Sequence, residues 1–308
     1  MMATSEGEFA PVDSYPDAQL SEYIGGLHKK QVLDRDRSTR LTEVSAAYVS
    51  KRYFSYEELQ DAILAIELAR SIDVRTPRVR RIVQLQDFYE CIFDRVRGVN
   101  LMDAWISLGW ISTIRLGFQL RRMIQSMRSQ RSPTAGSLGT GIARTFWIDE
   151  DAYGIPLRAS SYTIMSLVNF WYNAGSFTKE SKKTKEQHQS TCEGPLKLSQ
   201  QLVFTHHDLA PRNLMIDSAG DLYIVDWDFA GWYPPFFEHA GMYNFWPQES
   251  WGWIGMLRWK LFTWIATGLY SKEKYVLSNG QRKSIRFPAA RRFNIQAGVT
   301  PATEPVEE

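Results

Sequence analysis

The chain has 308 residues, 44% of them hydrophobic, enough to bury a sizeable core in one large domain or two lobes. Its 36 Lys and Arg against 34 Asp and Glu leave a formal charge of +2, which gives no electrostatic case for nucleic acid or an anionic membrane as partner. Cys91 and Cys192 stand far apart, with neither metal-ligand spacing nor a disulfide framework, and the N-terminus lacks the regions of a signal peptide, so a cytoplasmic protein is expected.

Residues 1–20 are polar and rich in Ser, Asp and Pro, and are expected to be loose. Val44 to Ser50 favours a strand and runs into Lys51-Arg52. Ser55-Tyr-Glu-Glu58 is a capping box opening a helix through about Ser71, with Leu59, Ile63, Ile66 and Ala69 on one face. Thr113 to Ser129 has helical spacing of apolar residues, consistent with plain core packing. Gly136 to Tyr153 is turn-rich and carries Trp147 and the acids of Ile148-Asp-Glu-Asp151. Tyr162 to Ala174 is a further helix, and the charged segment Ser176 to Pro195 reads as an insertion. Trp251 to Tyr270 comes nearest to a membrane span, but Arg258 and Lys260 interrupt it, and a buried or amphipathic helix is expected.

The most informative stretch is Val203-Phe-Thr-His-His-Asp-Leu-Ala-Pro-Arg-Asn-Leu-Met-Ile-Asp217, followed by Leu222-Tyr-Ile-Val-Asp-Trp-Asp228. Leu202 to Thr205 is a short apolar strand delivering a polar cluster to a loop. Leu214 to Ile216 and Leu222 to Val225 read as an antiparallel hairpin around Asp217-Ser-Ala-Gly-Asp221, where Gly220 takes a positive φ. The hairpin brings Asp226 back beside Asn213. Phosphoryl transfer needs such a set: one carboxylate, Asp208, to orient and deprotonate a hydroxyl, and two oxygen ligands, Asn213 and Asp226, for Mg²⁺.

These segments resemble the catalytic core of the aminoglycoside phosphotransferase and choline kinase superfamily, and in particular its fungal phosphotransferase-domain branch. The matching motifs are H-x-D-L-x-P-x-N, here His206 to Asn213, and I-x-D-W-x-x-A-G-W-x-P, here Val225 to Pro234. The resemblance implies an α+β, two-lobed protein-kinase-like fold, with a small β-rich lobe and a larger, mainly helical one. It divides the chain into a loose start (1–20), a small lobe and hinge (21–98), a large lobe with the catalytic loop (99–290) and a tail (291–308). It implies ATP and Mg²⁺ as cofactors, a small-molecule hydroxyl as acceptor, Asp208 as base, Asn213 and Asp226 as metal ligands, and His206 as a brace. Trp227-Asp228 in place of Phe-Gly, and the lack of an Ala-Pro-Glu segment, favour a small-molecule kinase over a protein kinase, which stays open as an alternative.

The resemblance extends upstream. Thr76-Pro-Arg-Val79 is similar to "V-P-x-V", and Tyr89-Glu-Cys-Ile-Phe-Asp-Arg-Val-Arg-Gly98 to the "I-V-M-E-Y-x-x-G" hinge, which implies nucleotide contacts at Phe93 and Asp94. Asn100 to Trp105 is similar to the "x-L-x-x-A-W" after the hinge. Lys51 is implied as the phosphate lysine, with Asp61 as its acid partner; Glu58, one turn earlier, is the other candidate besides its role at the helix cap. No G-x-G-x-x-G precedes Lys51, and Gly25-Gly26 is a poor match. That gap leaves room for a catalytically silent, kinase-like binding or scaffold protein. His207 either touches substrate or is a tolerated replacement, Arg212 either steadies phosphate or pairs with an acid, and Asp228 either supports the site or does not. Trp232, Tyr233 and Trp246 to Trp253 are core or an aromatic wall for an acceptor.

Overall fold

A computed structural model describes residues 11–35, 40–84, 87–145, 147, 155–180 and 196–286. The small lobe is a four-stranded antiparallel sheet in the order β1 (Leu41–Glu43), β2 (Tyr48–Tyr53), β4 (Tyr89–Asp94), β3 (Val79–Gln84). In the β2–β4 pairing Lys51 lies opposite Cys91, and Ser50 opposite Ile92. The two-residue period of a strand therefore sends Lys51, Tyr53, Cys91 and Phe93 to one face and Ser50, Arg52, Glu90 and Ile92 to the other.

Each face has its own cover. Helix α1 (Pro11–Ser14) and helix α2 (Asp17–Arg35) lie on the Ile92 side, where Val12, Leu20 and Ile24 pack with Val83 and Ile92. This corrects the expectation of a loose start for residues 11–20: Arg81 donates to the carbonyls of Val12 and Tyr15 at 2.7 and 2.9 Å and pairs with Asp17, satisfying backbone that would otherwise need water. Gly25-Gly26 lies inside α2 and builds no loop. Helix α3 (Tyr56–Ser71) covers the other face, opened by Ser55, whose hydroxyl accepts from Glu58 N at 3.2 Å.

The large lobe is built from helices α4 (Leu101–Ala104), α5 (Trp110–Ser129), α6 (Ser161–Glu180), α7 (Pro235–Gly241), α8 (Gly252–Thr267) and α9 (Ser271–Arg286), with two three-stranded sheets between them. One is β5 (Gly98–Asn100), β8 (Leu214–Asp217) and β9 (Leu222–Ile224); the other is β10 (Gly231–Tyr233), β7 (Leu202–Thr205) and β6 (Arg131–Ser132). The β8–β9 hairpin has the expected register, Leu214 opposite Ile224, with Gly220 at φ 82° and the Asp217 carboxylate accepting from Ala219 N and Asp221 N. The first residues of the 176–195 insertion continue α6, and residues 181–195 lie outside the described residues, as do 1–10 and 287–308. Among the described residues no helix is long and apolar enough to cross a membrane.

The lobes are tied by specific polar contacts over a shared apolar core in which Ala62, Ile66 and Phe93 meet Leu214, Trp227 and Met242. Ile224 N donates to Arg75 O at 2.9 Å, and the Trp227 indole donates to Thr76 Oγ1 at 2.8 Å. The strongest tie is Asp61, which is 2% exposed. Its carboxylate accepts from Gly139 N (2.8 Å), Thr140 N (2.9 Å), Ser137 Oγ (2.9 Å) and Thr140 Oγ1 (2.7 Å), and pairs with Arg144. These donors hold its pKa below the usual carboxylate range although burial works the other way.

Asp61 is therefore not the partner of Lys51. An Asp at this position is short, and the large-lobe turn at 137–144 supplies donors that consume both of its oxygens. Its removal would strand Arg144 and four neutral donors, so Asp61→Ala is expected to cost about 3–5 kcal/mol in urea denaturation. A loss below about 1 kcal/mol would contradict this clamp.

Candidate active site

The catalytic loop leaves β7 at Thr205, and its first two amides point at one carboxylate. Glu238 on α7, 1% exposed, accepts from His206 N at 2.7 Å and His207 N at 3.0 Å. His207 sits in the left-handed region at φ 73°, a conformation that costs about 1–3 kcal/mol for a residue with a side chain. Hydrogen bonds to a charged acceptor contribute about 1.5–3 kcal/mol each, enough to hold it. α7 can come this close because residue 241 is Gly: a Cβ there would lie 2.2 Å from His207 O.

His207 turns into the core rather than to substrate. Its Nε2 meets Thr145 Oγ1 at 2.7 Å and its ring packs on Tyr233 at 4.4 Å. Burial lowers its pKa to about 3. His206 is the expected brace. Its Nε2 lies 3.0 Å from Val225 O, and its Nδ1 accepts from Asp208 N at 3.3 Å, so the ring is neutral with its proton on Nε2. Burial takes its pKa to about 4. One ring thus joins the catalytic loop to the strand that ends at Asp226.

Asp208 is 5% exposed and its carboxylate is fully oriented. Oδ2 accepts from Arg212 Nη2 at 2.6 Å and Asn213 Nδ2 at 2.9 Å; Oδ1 accepts from Arg212 Nη2 at 2.8 Å and more distantly from Asn244 at 3.4 Å. Arg212 therefore resolves as the salt-bridge partner of Asp208. Burial raises the Asp208 pKa, against the pull of Arg212. Asn213 spends its amide nitrogen on Asp208, donating also to Asp208 O at 2.8 Å, so its amide oxygen is the atom that could serve a ligand.

The hairpin places Asp226 beside this pair, with Val225 N donating to Asn213 O at 3.0 Å. Asp226 takes φ 68°, turning its side chain out of the strand into the cleft, where it is 44% exposed. Lys51 reaches across from β2. Its Nζ is 2.5 Å from Asp226 Oδ1 and 2.6 Å from Asp228 Oδ2, and Tyr53 Oη donates to Asp228 Oδ1 at 3.0 Å. Burial opposes charge on Lys51, but the two carboxylates outweigh it and its pKa is raised. Asp228 thus supports the site as the second partner of the lysine. Glu58 does not: it faces Arg40 at 3.5 Å.

A cavity of about 350 Å³ opens between the lobes, lined by Leu41, Val49, Lys51, Tyr53, Phe93, Asp94 and Asp226 among others. The hinge, the lysine and the second acid are thereby brought to one cavity, with Asp208 and Asn213 next to Asp226. Asp61 is absent from its lining. The Asp94 side chain is committed to Arg80 at 2.5 Å, which leaves its backbone as the part open to a ligand role. Trp251 is core, while Trp246 and Trp253 are 93% and 76% exposed. Three residues that sequence reasoning missed complete the site: Glu238, Tyr53 and Asn244. A lone acid in the apolar run Pro-Pro-Phe-Phe-Glu238 was the available signal for the first.

The phosphotransferase enzyme family profile matches residues 34–258. The chain belongs to that family. No curated protein sequence matches it. Among solved structures, a thermostable mutant of aminoglycoside phosphotransferase APH(4)-Ia in its apo form is similar, at 14% identity and a TM-score of 0.50, covering 82% of this chain and 84% of that one. A ternary complex of a thermostable APH(4)-Ia with ADP and hygromycin B gives 12% identity and a TM-score of 0.50 over 89% and 94% of the two chains. Choline kinase LicA from Streptococcus pneumoniae is similar at 13% identity and a TM-score of 0.45, over 82% and 80%. The fold is the two-lobed, protein-kinase-like α+β arrangement.

The buried loop carries a pH signature. His206 and His207, with pKa values of about 4 and 3 in the folded chain, are neutral there while the unfolded chain protonates them below its ordinary value of 6.5. Stability is thus present above about pH 6.5 and lost on acidification, by about 1.4 kcal/mol per pH unit for each ring. Glu238 runs the opposite way: burial raises it from 4.5 to about 7, so its contribution is present at low pH and lost as pH rises through 7. Glu238→Gln is therefore expected to steepen the acid loss between about pH 5 and 6.5 by one proton, ~1.4 kcal/mol per unit in urea melts. An unchanged slope would place the Glu238 titration elsewhere.

Proposed function

We propose that this protein is an ATP- and Mg²⁺-dependent phosphotransferase that moves the γ-phosphoryl group of ATP to a hydroxyl of a small molecule. The observation that carries this reading is that Lys51 and Asp226 meet in the lining of one inter-lobe cavity, with Asp208 and Asn213 bonded to each other beside the strand that delivers Asp226. The backbone of Phe93 to Val96 takes the adenine, and Lys51 takes the phosphates. Asp228 and Tyr53 keep the lysine in place when Asp226 turns to metal. The donor set fits Mg²⁺: two hard oxygens, Asn213 Oδ1 and an Asp226 carboxylate exposed to the cleft, leave room for water and phosphate oxygens. Among the described residues no cluster of three or more His, Cys, Asp or Glu forms a self-sufficient cage, which suits a metal that arrives with nucleotide. When bound, Mg²⁺ supplies charge neutralisation on the phosphates.

Asp208 holds the reacting hydroxyl. Oδ2 accepts from both Arg212 and Asn213, while Oδ1 accepts from Arg212 and, at 3.4 Å, from Asn244, so Oδ1 is the atom that takes the proton once Arg212 moves off it. A raised pKa makes the carboxylate a better base. The acceptor oxygen forms its bond to the γ-phosphorus as the bond to the β-bridging oxygen breaks, and ADP leaves with that electron pair. Arg212, 41% exposed at its side chain, can swing aside as the acceptor settles.

A screen of hydroxylated metabolites for ATP-dependent phosphorylation tests the reading. Asp208→Asn is expected to lower kcat by at least about 10²-fold, the scale of general-base catalysis, with nucleotide affinity largely kept. Near-normal turnover in that variant would remove Asp208 as the base. Lys51→Met is expected to weaken ATP binding while kcat at saturating acceptor falls as well, and Asp228→Asn to reproduce part of the affinity loss. Unchanged affinity in both variants would contradict the proposed lysine seat.

A further inference from the structure

The helices α5 and α8 leave an apolar face that no part of the described chain covers. On α5, Ile111 is 85% exposed and Phe118 58%, with Ile114 between them on the same side of the helix. On α8, Trp253 is 76% exposed, Leu257 47% and Trp264 50%. The two faces adjoin. Gly117 packs directly against the Ile265 side chain, Arg121 Nη1 donates to Ile265 O at 3.0 Å, and Arg258 donates to Leu108 O. The helices thus pack side by side, and each presents several bulky aliphatic and aromatic side chains to solvent.

The charge of this face identifies the occupant. Neither helix contains an Asp or Glu, while α5 carries four arginines and α8 an arginine and a lysine. Arg115, Arg121, Arg122 and Lys260 are exposed around the apolar residues, and among the described residues none of the four is ion-paired. Arg115 and Arg121 donate to backbone carbonyls and, among the described residues, have no carboxylate partner. A chain of formal charge +2 thus concentrates positive charge on this face. A second copy docked here would bring these cations toward their own kind, which costs free energy. Tryptophan and isoleucine in a rim of long cationic side chains match instead the boundary of a bilayer with anionic headgroups.

We infer that the α5–α8 face is a peripheral docking surface for an anionic membrane. It lies on the helices and uses none of Lys51, Asp208, Asn213 or Asp226.

The test is sedimentation of the full chain with sucrose-loaded vesicles of phosphatidylcholine, alone or with about a third phosphatidylserine, at low and high salt. Binding is expected with the serine lipid at low salt, and brominated acyl chains should quench tryptophan fluorescence of the unaltered protein. Ile111→Glu with Trp264→Glu is expected to lower partitioning at least about tenfold, and Arg121→Gln with Arg122→Gln to remove the preference for the anionic lipid. Absence of sedimentation and quenching in the unaltered protein would overturn the inference. Partitioning that survives the paired Glu substitutions would do the same. Light scattering that finds a dimer dissociated by those substitutions would assign the face to a second copy and also overturn it.

Discussion

The ammonium of Lys51, held between Asp226 and Asp228, is the contact on which the working geometry depends. It is the point where a side chain from the small sheet meets the Asp226 end of the large-lobe hairpin, at 2.5 and 2.6 Å. Two carboxylates around one cation suit a site that must open and refill. In the proposed function Asp226 would serve metal and Lys51 phosphate, and Asp228, bonded to Tyr53, would keep the lysine seated. The helix acid that would otherwise do this is fastened to the turn at 137–144, where it ties α3 to the large lobe. Fastening the lobes and seating the lysine are therefore separate tasks here, carried by different acids.

The catalytic loop depends on a second buried acid. Glu238 gathers the amides of His206 and His207 and so fixes a strained turn, and the neutral His206 ring then passes that position to Val225 and Asp226. These groups are buried in forms that ordinary titration would not choose: two neutral imidazoles and a carboxylate whose pKa has moved up to about 7. Such groups persist because each is hydrogen-bonded, and because removing one partner would leave another exposed to the low dielectric of the core. The position of Asp208 is thus set by residues buried in the core behind it.

Much of this was legible in sequence because it is local. The strand Leu202 to Thr205, the hairpin around Gly220 and the return of Asp226 beside Asn213 follow from periodicity and turn chemistry within a few residues. The capping box at Ser55 and the strand carrying Lys51 were readable for the same reason. What stayed hidden depends on pairing across long separations. Asp61 finds its donors some 76–83 residues away, and nothing near it signals them. Glu238 is one acid in an apolar helix, and its meaning appears only when two amides converge on it. Arg212, His207 and Asp228 each allowed two readings until their partners were in place. Residues 11–20 looked loose by composition, yet Val12 and Leu20 find a sheet face to bury against.

In the proposed function one cavity serves nucleotide and metal together, and Asp226 would exchange Lys51 for Mg²⁺ as both arrive. Calorimetric titration of the full chain with ADP, in the presence and absence of Mg²⁺, addresses this directly. Saturable binding that strengthens at least about tenfold, or ~1.4 kcal/mol, when Mg²⁺ is present is the predicted result. No binding, or equal affinity with and without the metal, would contradict it.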